Sequence, residues 1–180
     1  MIEPIFICGV HKSGTSLLRS LLDSHPSLNV IPIETHFINH LGFEIKYFYR
    51  KQMKEEFDKN RFVKKCNILI NDYHNAHLND NSDAQLNGKF DRSLFDQTLK
   101  SRINKDNSYA DIFNSYAETI FSSLNINTWS SSKKIVEKSV ENGDVALYYN
   151  SIFPEAKFIH IVRNPYANLI SLRKFKSKKE

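Results

Sequence analysis

The sequence predicts an α/β fold in which helices flank a central parallel sheet, and three observations lead to this prediction. Short apolar runs typical of buried strands lie at roughly 4–9, 28–33, 133–137 and 157–162. Helical patterns separate these runs, and polar or ionisable residues follow several of them. Because α/β proteins bind ligands at the carboxyl ends of their strands, we expect the functional residues at that edge of the sheet. The chain of 180 residues is expected to form a single domain.

The first strand, loop and helix, within residues 4–26, form an arrangement that suits phosphate. Gly9 ends the strand, Gly14 ends a loop of mostly small and polar residues, and a helical pattern opens at Thr15. Backbone N–H groups and the helix dipole favour an anion at such a helix start, and glycine lets the backbone approach it closely. The spacing G-x-x-x-x-G-T-S is close to the nucleotide-binding pattern G-x-x-x-x-G-K-[ST], but the cation has moved back to Lys12. The helix has one predicted apolar face, made by Leu17, Leu18, Leu21 and Leu22.

The segment V-H-K-S-G-T-S-L-L-R-S-L-L-D-S-H-P resembles a loop in sulfotransferases that use 3′-phosphoadenosine 5′-phosphosulfate (PAPS). Their phosphosulfate-binding pattern is roughly P-[RK]-S-G-T-[ST]-x-L followed by L-x-x-H-P, and His11 stands where proline is frequent. The resemblance implies a P-loop NTPase-like three-layer fold with PAPS as co-substrate. It also implies that the phosphosulfate is bound by Lys12, Ser13, Gly14, Thr15 and Ser16. The alternative is a structural strand-to-helix turn without a ligand.

A second motif follows the last predicted strand. Arg163-Asn164-Pro165 ends that strand, and Pro165 is well placed in the first turn of a helix. The pattern R-N-P-x-x-x-x-x-S resembles the motif with which the family binds the 3′-phosphate of PAPS, and it assigns this role to Arg163 and Ser171. An arginine fork grips phosphate bidentately. The alternative is a surface arginine that pairs with a nearby carboxylate.

Candidate catalytic residues follow the second and third predicted strands. Glu34 resembles the general base of one sulfotransferase branch, which includes the enzymes acting on protein tyrosines; His36 is the competing candidate. Alternatively, Glu34 or Thr35 only caps the next helix. Lys138 begins K-S-V-E-N, which resembles the family motif E-K-[ST]-P-x-N with Val140 in place of proline. In relatives this lysine contacts the transferring sulfuryl group, and the alternative is a surface lysine.

Charge supports an anionic ligand. The net charge is +5, and because no nucleic-acid-binding motif accompanies it we favour a small, highly charged ligand over RNA or DNA. PAPS carries about four negative charges, whereas a helix start supplies only about half a positive charge. Lys12 and Lys138 are therefore expected to serve the phosphosulfate, with Lys12 both catalytic and cofactor-binding. No metal is expected, although His36 and His40 have the spacing of two ligands on one helix face.

A helical insert is predicted at about 37–125, with helices at 37–57, 60–75, 93–103 and 109–124 and a loop at 79–91. A further short helix is predicted at 145–153. In related enzymes such an insert shapes the acceptor pocket. Its sequence matches no known substrate, so the acceptor is left as a hydroxyl or amine on a small molecule, glycan or peptide.

The remaining predictions concern the protein as a whole. No signal peptide, transmembrane segment or disulfide framework is visible, which favours a cytoplasmic protein. Family members usually continue beyond the 3′-phosphate helix, so we expect that the usual C-terminal part is lacking. A P-loop kinase or other nucleotide-binding enzyme, and a non-catalytic relative that acts as a binding protein, are the alternatives. The resemblance implies that the desulfated nucleotide PAP is the product. The oligomeric state is left open.

Overall fold

The computed structural model describes residues 3–46, 51–54, 56–78, 90–104, 106–124 and 129–176. Its strands are β1 (Ile5–Cys8), β2 (Leu28–Val30), β3 (Phe43–Lys46), β4 (Lys51–Lys54), β5 (Lys134–Lys138) and β6 (Lys157–His160). Its helices are α1 (Thr15–Leu22), α2 (Phe37–His40), α3 (Lys59–Leu78), α4 (Arg92–Arg102), α5 (Tyr109–Ser123), α6 (Ala146–Ile152) and α7 (Pro165–Lys176). A 3-10 turn, Val140–Gly143, follows β5.

The predicted strands form one parallel sheet, in the order β2-β5-β1-β6. In the register, Ile5 of β1 lies between Val136 of β5 and Lys157 of β6, and Leu28 of β2 pairs with Lys134. Because all four strands are parallel, their carboxyl ends share one edge of the sheet. The phosphate-type loop after β1 and the residues that follow β2, β5 and β6 therefore meet at that edge.

Apolar packing covers both faces of the sheet, which confirms the predicted three-layer α/β architecture. On one face Phe6 packs against Tyr149 of α6 and Phe113 of α5, with ring centres 3.8 and 5.8 Å apart. On the other face a smaller cluster forms around Ile7 and Val136. Neighbouring side chains on a strand point to opposite faces, so Phe6 and Ile7 belong to different layers.

Only half of the predicted apolar face of α1 packs against the sheet. Leu18 and Leu22 pack against the small sheet cluster, whereas Leu17 is 65% and Leu21 is 72% exposed. Successive residues are about 100° apart around a helix. Leu17 and Leu21 therefore point away from the sheet against which Leu18 and Leu22 pack. The four leucines share one side of α1 as predicted, but only Leu18 and Leu22 pack against the sheet.

The predicted helix at 37–57 was wrong. The helix α2 ends after one turn, Gly42 adopts a φ of 103°, and β3 and β4 then pair antiparallel with Phe43 opposite Lys54. A left-handed residue just after the last turn ends a helix. The sequence F-E-I-K alternates apolar and charged residues, which is the period of a strand. Residues 47–50 and 55 lie outside the described ranges.

The other predicted helices are confirmed to within a few residues. α5 begins with a capping box in which the side chains of Ser108 and Asp111 each accept a hydrogen bond from the other's backbone N–H. Asp91 caps α4 by accepting from the N–H of Leu94 at 2.9 Å. Most of the predicted loop at 79–91 lies outside the described residues. None of the helices in the described part of the chain has the length and apolar character needed to span a bilayer.

Candidate active site

A cleft of about 610 Å³ lies at the carboxyl ends of the parallel strands. Apart from Ser13 and His36, the competing candidate for the base, every residue predicted for the site lines this cleft: Lys12, Gly14, Thr15, Ser16, Glu34, Lys138, Arg163 and Ser171. These residues come from three distant parts of the sequence. The parallel topology brings them together, as expected for an α/β sheet.

The loop before α1 is shaped by two glycines. Gly9 has a φ of 151°, and a Cβ there would lie 2.9 Å from the Ile161 carbonyl oxygen, so the backbone passes too close for a side chain. Gly14 has a φ of 112° and occupies the N-cap of α1, where no side chain caps the helix. The first N–H groups of an uncapped helix lack intrahelical acceptors and are available to a ligand. Thr15 and Ser16, in that first turn, line the cleft.

Ser13 has a different position from the rest of the loop. Its side chain is buried, and its Oγ has no hydrogen-bond partner among the described residues. A Cβ on Gly9 would lie only 2.7 Å from this oxygen. The Ser13 hydroxyl therefore packs beneath the loop instead of lining the cleft, and its backbone N–H donates to the Val10 carbonyl at 3.1 Å.

The two motifs that are predicted to bind the nucleotide contact each other directly, although they are far apart in the sequence. The Arg163 guanidinium donates to the Lys12 carbonyl oxygen at 2.8 Å, across 151 sequence positions. Asn168 of α7 donates to the His11 carbonyl oxygen at 2.9 Å. Asn164 caps α7 by accepting from the N–H of Tyr166 at 3.0 Å. Arg163 is thus fixed by a backbone carbonyl and remains exposed at the cleft.

Lys12 and α7 make a further contact across the cleft. The Lys12 ammonium lies 3.9 Å from the centre of the Phe175 ring, in cation–π geometry. Lys12 itself has a φ of 65°, in the left-handed region that non-glycine residues seldom adopt. Together with Lys138 and Arg163, it gives the cleft three cationic side chains.

Glu34 and Lys138 form an ion pair between Glu34 Oε1 and Lys138 Nζ. The Lys138 side chain is only 6% exposed, so it is not a surface lysine. The backbone N–H of Glu34 donates to the Tyr73 hydroxyl of α3 at 3.1 Å. α2 has His36 as its N-cap and no side-chain cap, so neither Glu34 nor Thr35 caps that helix.

A fully buried carboxylate, Glu137, holds the segment that carries Glu34. It accepts hydrogen bonds from the N–H and hydroxyl of Thr35 at 3.1 and 2.9 Å, from Ser139 Oγ at 2.5 Å and from Asn142 Nδ2 at 2.7 Å. Burial raises the pKa of Glu137, and the hydrogen bonds lower it without cancelling that effect. The network fixes the end of β5 and the Glu34 segment relative to each other.

The two histidines of the predicted i, i+4 pair lie in different environments. Burial lowers the pKa of His36, but a 2.5 Å hydrogen bond from its Nδ1 to Glu141 and nearby carboxylates outweigh this and raise it overall. Burial lowers the pKa of His40 to about 3, and its Nδ1 lies 3.5 Å from Cys66 Sγ. Within the described ranges, no cluster of three or more metal-type side chains is placed to hold an ion.

Sequence reasoning missed several residues that shape this site. Tyr73 and Phe175 line the cleft, Glu137 is the centre of the hydrogen-bond network, and Glu141 holds His36. Tyr73 lies in the insert and has no motif around it. Glu137 and Glu141 flank Lys138 within the recognised motif, so their position in the sequence was the one available signal.

The fold and the cleft define a class: a P-loop-like α/β protein with a cationic cleft after its first strand. The sequence profile of the sulfotransferase family matches residues 4–179, and the chain belongs to this family. The family as a whole transfers sulfuryl groups. No curated protein and no solved structure matches the chain.

Proposed function

We propose that this chain transfers a sulfuryl group from PAPS to a hydroxyl or amine acceptor and releases PAP. The observation that supports this most is the convergence of the three motifs on one cleft. Four of the five residues of the loop at 12–16, the pair Glu34 and Lys138, and the pair Arg163 and Ser171 border the same space. Each motif alone is weak, but their joint placement fits a ligand with two separate anionic groups.

The charges in the cleft fit the proposed donor. The helix start at Gly14 contributes about half a positive charge, which is far from the roughly four negative charges of PAPS. Lys12 and Lys138 compensate the phosphosulfate, and Arg163 compensates the 3′-phosphate with help from the Ser171 hydroxyl. The Arg163 guanidinium uses one N–H on the Lys12 carbonyl and has others for phosphate oxygens.

The transfer requires one bond to form and one to break at sulfur. The acceptor oxygen or nitrogen attacks the sulfur in line, the sulfur bond to the bridging oxygen breaks, and PAP leaves with the electron pair. Glu34 takes the acceptor proton as general base. Lys138 stabilises the negative charge on the bridging oxygen and the sulfuryl oxygens. Binding of the anionic donor draws Lys138 from Glu34, which leaves that carboxylate to the acceptor.

The position of Glu34 favours the branch of the family with a glutamate base, such as the tyrosylprotein-type enzymes. Glu34 lies directly after β2, and its N–H is bound to Tyr73 of the insert. The insert therefore borders the space beside the base where an acceptor has to lie. Small molecules, glycans and peptides all remain acceptor classes under this proposal.

Two features of the chain count against the alternative function of a P-loop kinase. In P-loop enzymes that use ATP, a carboxylate on a neighbouring strand helps to hold Mg²⁺. Glu137 occupies β5, next to β1, but both of its oxygens accept hydrogen bonds from Thr35, Ser139 and Asn142. Thr15 moreover replaces the lysine that reaches the nucleotide phosphates. These two features count against ATP chemistry.

The test is conversion of PAPS to PAP by the purified chain with a panel of phenols, alcohols, amines, glycans and tyrosine-containing peptides. We expect acceptor-dependent PAP formation that is lost in Lys138→Ala. The matched control is Lys100→Ala, an exposed lysine of α4 that pairs with Asp96. No conversion by a folded wild-type chain with any acceptor, or an equal rate in Lys138→Ala, would contradict the proposal.

A further inference from the structure

We propose that Glu34, His36 and Glu141 form a proton relay, in which Glu141 positions His36 and His36 accepts the proton that Glu34 takes from the acceptor. This inference rests on the proposed function. It gives both candidates for the base, Glu34 and His36, a role in the same proton transfer. Glu141 is a positioning residue here because it contacts His36 and does not line the cleft.

The three side chains lie in a row. Glu141 Oε1 is 2.5 Å from His36 Nδ1, and His36 Nε2 is 3.7 Å from Glu34 Oε2. The Glu141 side chain is 4% exposed, that of Glu34 19% and that of His36 29%. Glu141 is thus the most buried of the three, Glu34 at the other end lines the cleft, and the imidazole lies between the two carboxylates.

The chemistry of the two contacts fixes the protons. A carboxylate only accepts hydrogen bonds, so the contact with Glu141 requires that Nδ1 of His36 carries hydrogen. In the neutral imidazole this leaves the lone pair on Nε2, which is the atom that faces Glu34. The distance of 3.7 Å is longer than a hydrogen bond, and catalytic contacts commonly shorten once substrates bind.

The backbone holds His36 in this position. Its φ of 48° lies in the left-handed region, and its N–H donates to Ser139 Oγ at 3.2 Å. Ser139 Oγ in turn donates to the buried Glu137 carboxylate at 2.5 Å. An uncommon conformation of this kind persists only where its surroundings determine it, and such residues cluster at functional sites.

Charged and titratable groups face His36 from several elements. They are Glu34 on its own segment, Glu137 of β5, Glu141 of the 3-10 turn and His40 of α2. Lys138 of β5 pairs with Glu34. The three carboxylates favour a positive imidazolium, which is the form that His36 takes after it accepts a proton. Asn39 also donates to Glu141 Oε1 at 3.4 Å and so helps to orient this carboxylate.

The proton path is balanced. The acceptor proton moves to Glu34 as the new bond to sulfur forms, and PAP leaves with the electrons of the broken sulfur–oxygen bond. The proton then moves from Glu34 Oε2 to His36 Nε2, and Glu141 compensates the imidazolium charge. Glu34 is returned to its ionised form for the next cycle once His36 releases the proton to solvent.

The first experiment is an NMR titration of the histidine ring nitrogens in the ligand-free full chain. In the wild type, we expect the neutral His36 to carry hydrogen on Nδ1. We expect the pKa of His36 to fall by roughly one pH unit or more in Glu141→Gln, and also to fall in Glu34→Gln, because each change removes a nearby negative charge. The matched control is Glu155→Gln, an exposed carboxylate in the turn before β6, which should leave the titration of His36 unchanged.

The second experiment measures PAPS conversion against pH in the same variants. Protonated His36 cannot accept a proton, so the rate should rise with pH through the pKa of His36. In Glu141→Gln this acid limb should move to lower pH by the amount seen in the NMR titration, and Glu141→Asp should restore part of the shift. If Glu141 only stabilised the fold, Glu141→Gln would lower the rate without shifting the acid limb of the pH–rate profile.

The outcomes separate the relay from the proposed function. Transfer by the wild type, combined with a His36 titration or acid limb that does not move in Glu141→Gln, overturns the relay and leaves sulfuryl transfer standing. Hydrogen on Nε2 of the neutral His36 overturns the relay as well. If the wild type converts no PAPS while the titration shifts as expected, the proposed function fails, and the row of side chains is structural only.

Discussion

The two sides of the cleft differ in how far they are organised before any ligand binds. On one side, which we call the base side, Glu34, His36, Lys138 and Glu141 contact one another in a largely buried setting. On the other side, the donor side, Lys12, Arg163 and Ser171 lie at a more open surface.

The difference indicates that the two sides of the cleft contribute to different steps. Charges on the base side compensate each other, so this side keeps its geometry without a ligand, and the Glu137 network holds it to β5. Among the described residues, Lys12 contacts the Phe175 ring and Arg163 contacts the Lys12 carbonyl, so we expect a bound anion to compensate these cations. Changes on the base side should therefore affect chemistry, and changes on the donor side should affect binding.

The largest expected effect is that of Glu34→Gln. Loss of the proposed general base should lower the transfer rate by about 10²–10⁴-fold. PAP binding should remain largely intact, because the donor side is untouched. Steady-state kinetics and a PAP titration on the same sample measure both quantities. Glu155→Gln serves as control, and unchanged turnover in Glu34→Gln would remove this residue from the mechanism.

The second prediction uses the two histidines, which respond to pH in opposite directions. The folded-state pKa of His40 is lowered from 6.5 to about 3, so its contribution to stability is complete above pH 6.5 and is lost as the pH falls toward 3. The free energy of unfolding should fall by up to about 1.4 kcal/mol per pH unit in that window from this group. Urea unfolding of His40→Gln should lack this part of the acid sensitivity.

His36 gives the complementary result. Its folded-state pKa is raised above 6.5, so its contribution is complete below pH 6.5 and is lost as the pH rises through the raised pKa. The stability difference between wild type and His36→Gln should therefore shrink as the pH rises. A difference that grew with pH would show that His36 is not held by the carboxylates.

The third prediction compares the two glycines of the loop. Gly9→Ala places a Cβ 2.7 Å from Ser13 Oγ and 2.9 Å from the Ile161 carbonyl, whereas nothing lies within 4 Å of a Cβ at Gly14. Both have a positive φ, so each alanine costs about 1–3 kcal/mol of stability, with Gly9→Ala the more costly. Thermal or urea unfolding measures this. Equal losses would show that the crowding at Gly9 has no effect.

The smallest expected effect concerns Lys12 on the donor side. Phe175→Leu removes the ring that its ammonium contacts, an interaction worth about 0.5–1 kcal/mol at an exposed site. Lys12 then no longer has to leave the ring to reach an anion, so PAP should bind about two- to fivefold tighter. Weaker binding in this variant would mean that Phe175 itself contacts the nucleotide.

The residues that directly follow a strand could be predicted from the sequence on both sides of the cleft. The phosphate-type loop, Glu34, Lys138 and Arg163 each follow a strand directly, so a local pattern places them at the same edge of the sheet. These placements agree with the structure, although their roles remain predictions. The alternation in F-E-I-K and the glycine before it, in contrast, were missed in the prediction of a helix at 37–57.

Other features depend on packing between distant segments. Tyr73 reaches the cleft because α3 packs beside the residues after β2, and no motif surrounds it. Glu141 meets His36 across 105 sequence positions. Leu17 and Leu21 looked equivalent to Leu18 and Leu22 in sequence, and only the position of the sheet distinguishes the two pairs.

The most direct measurement is a calorimetric titration of the folded chain with PAP and, as control, with ATP. We expect PAP to bind more tightly than ATP, and its binding to be lost in Arg163→Ala and Lys12→Ala but kept in Arg173→Ala, which changes an exposed arginine of α7. Absence of PAP binding by the folded chain, or tighter binding of ATP, would show that the cleft is not a PAPS site.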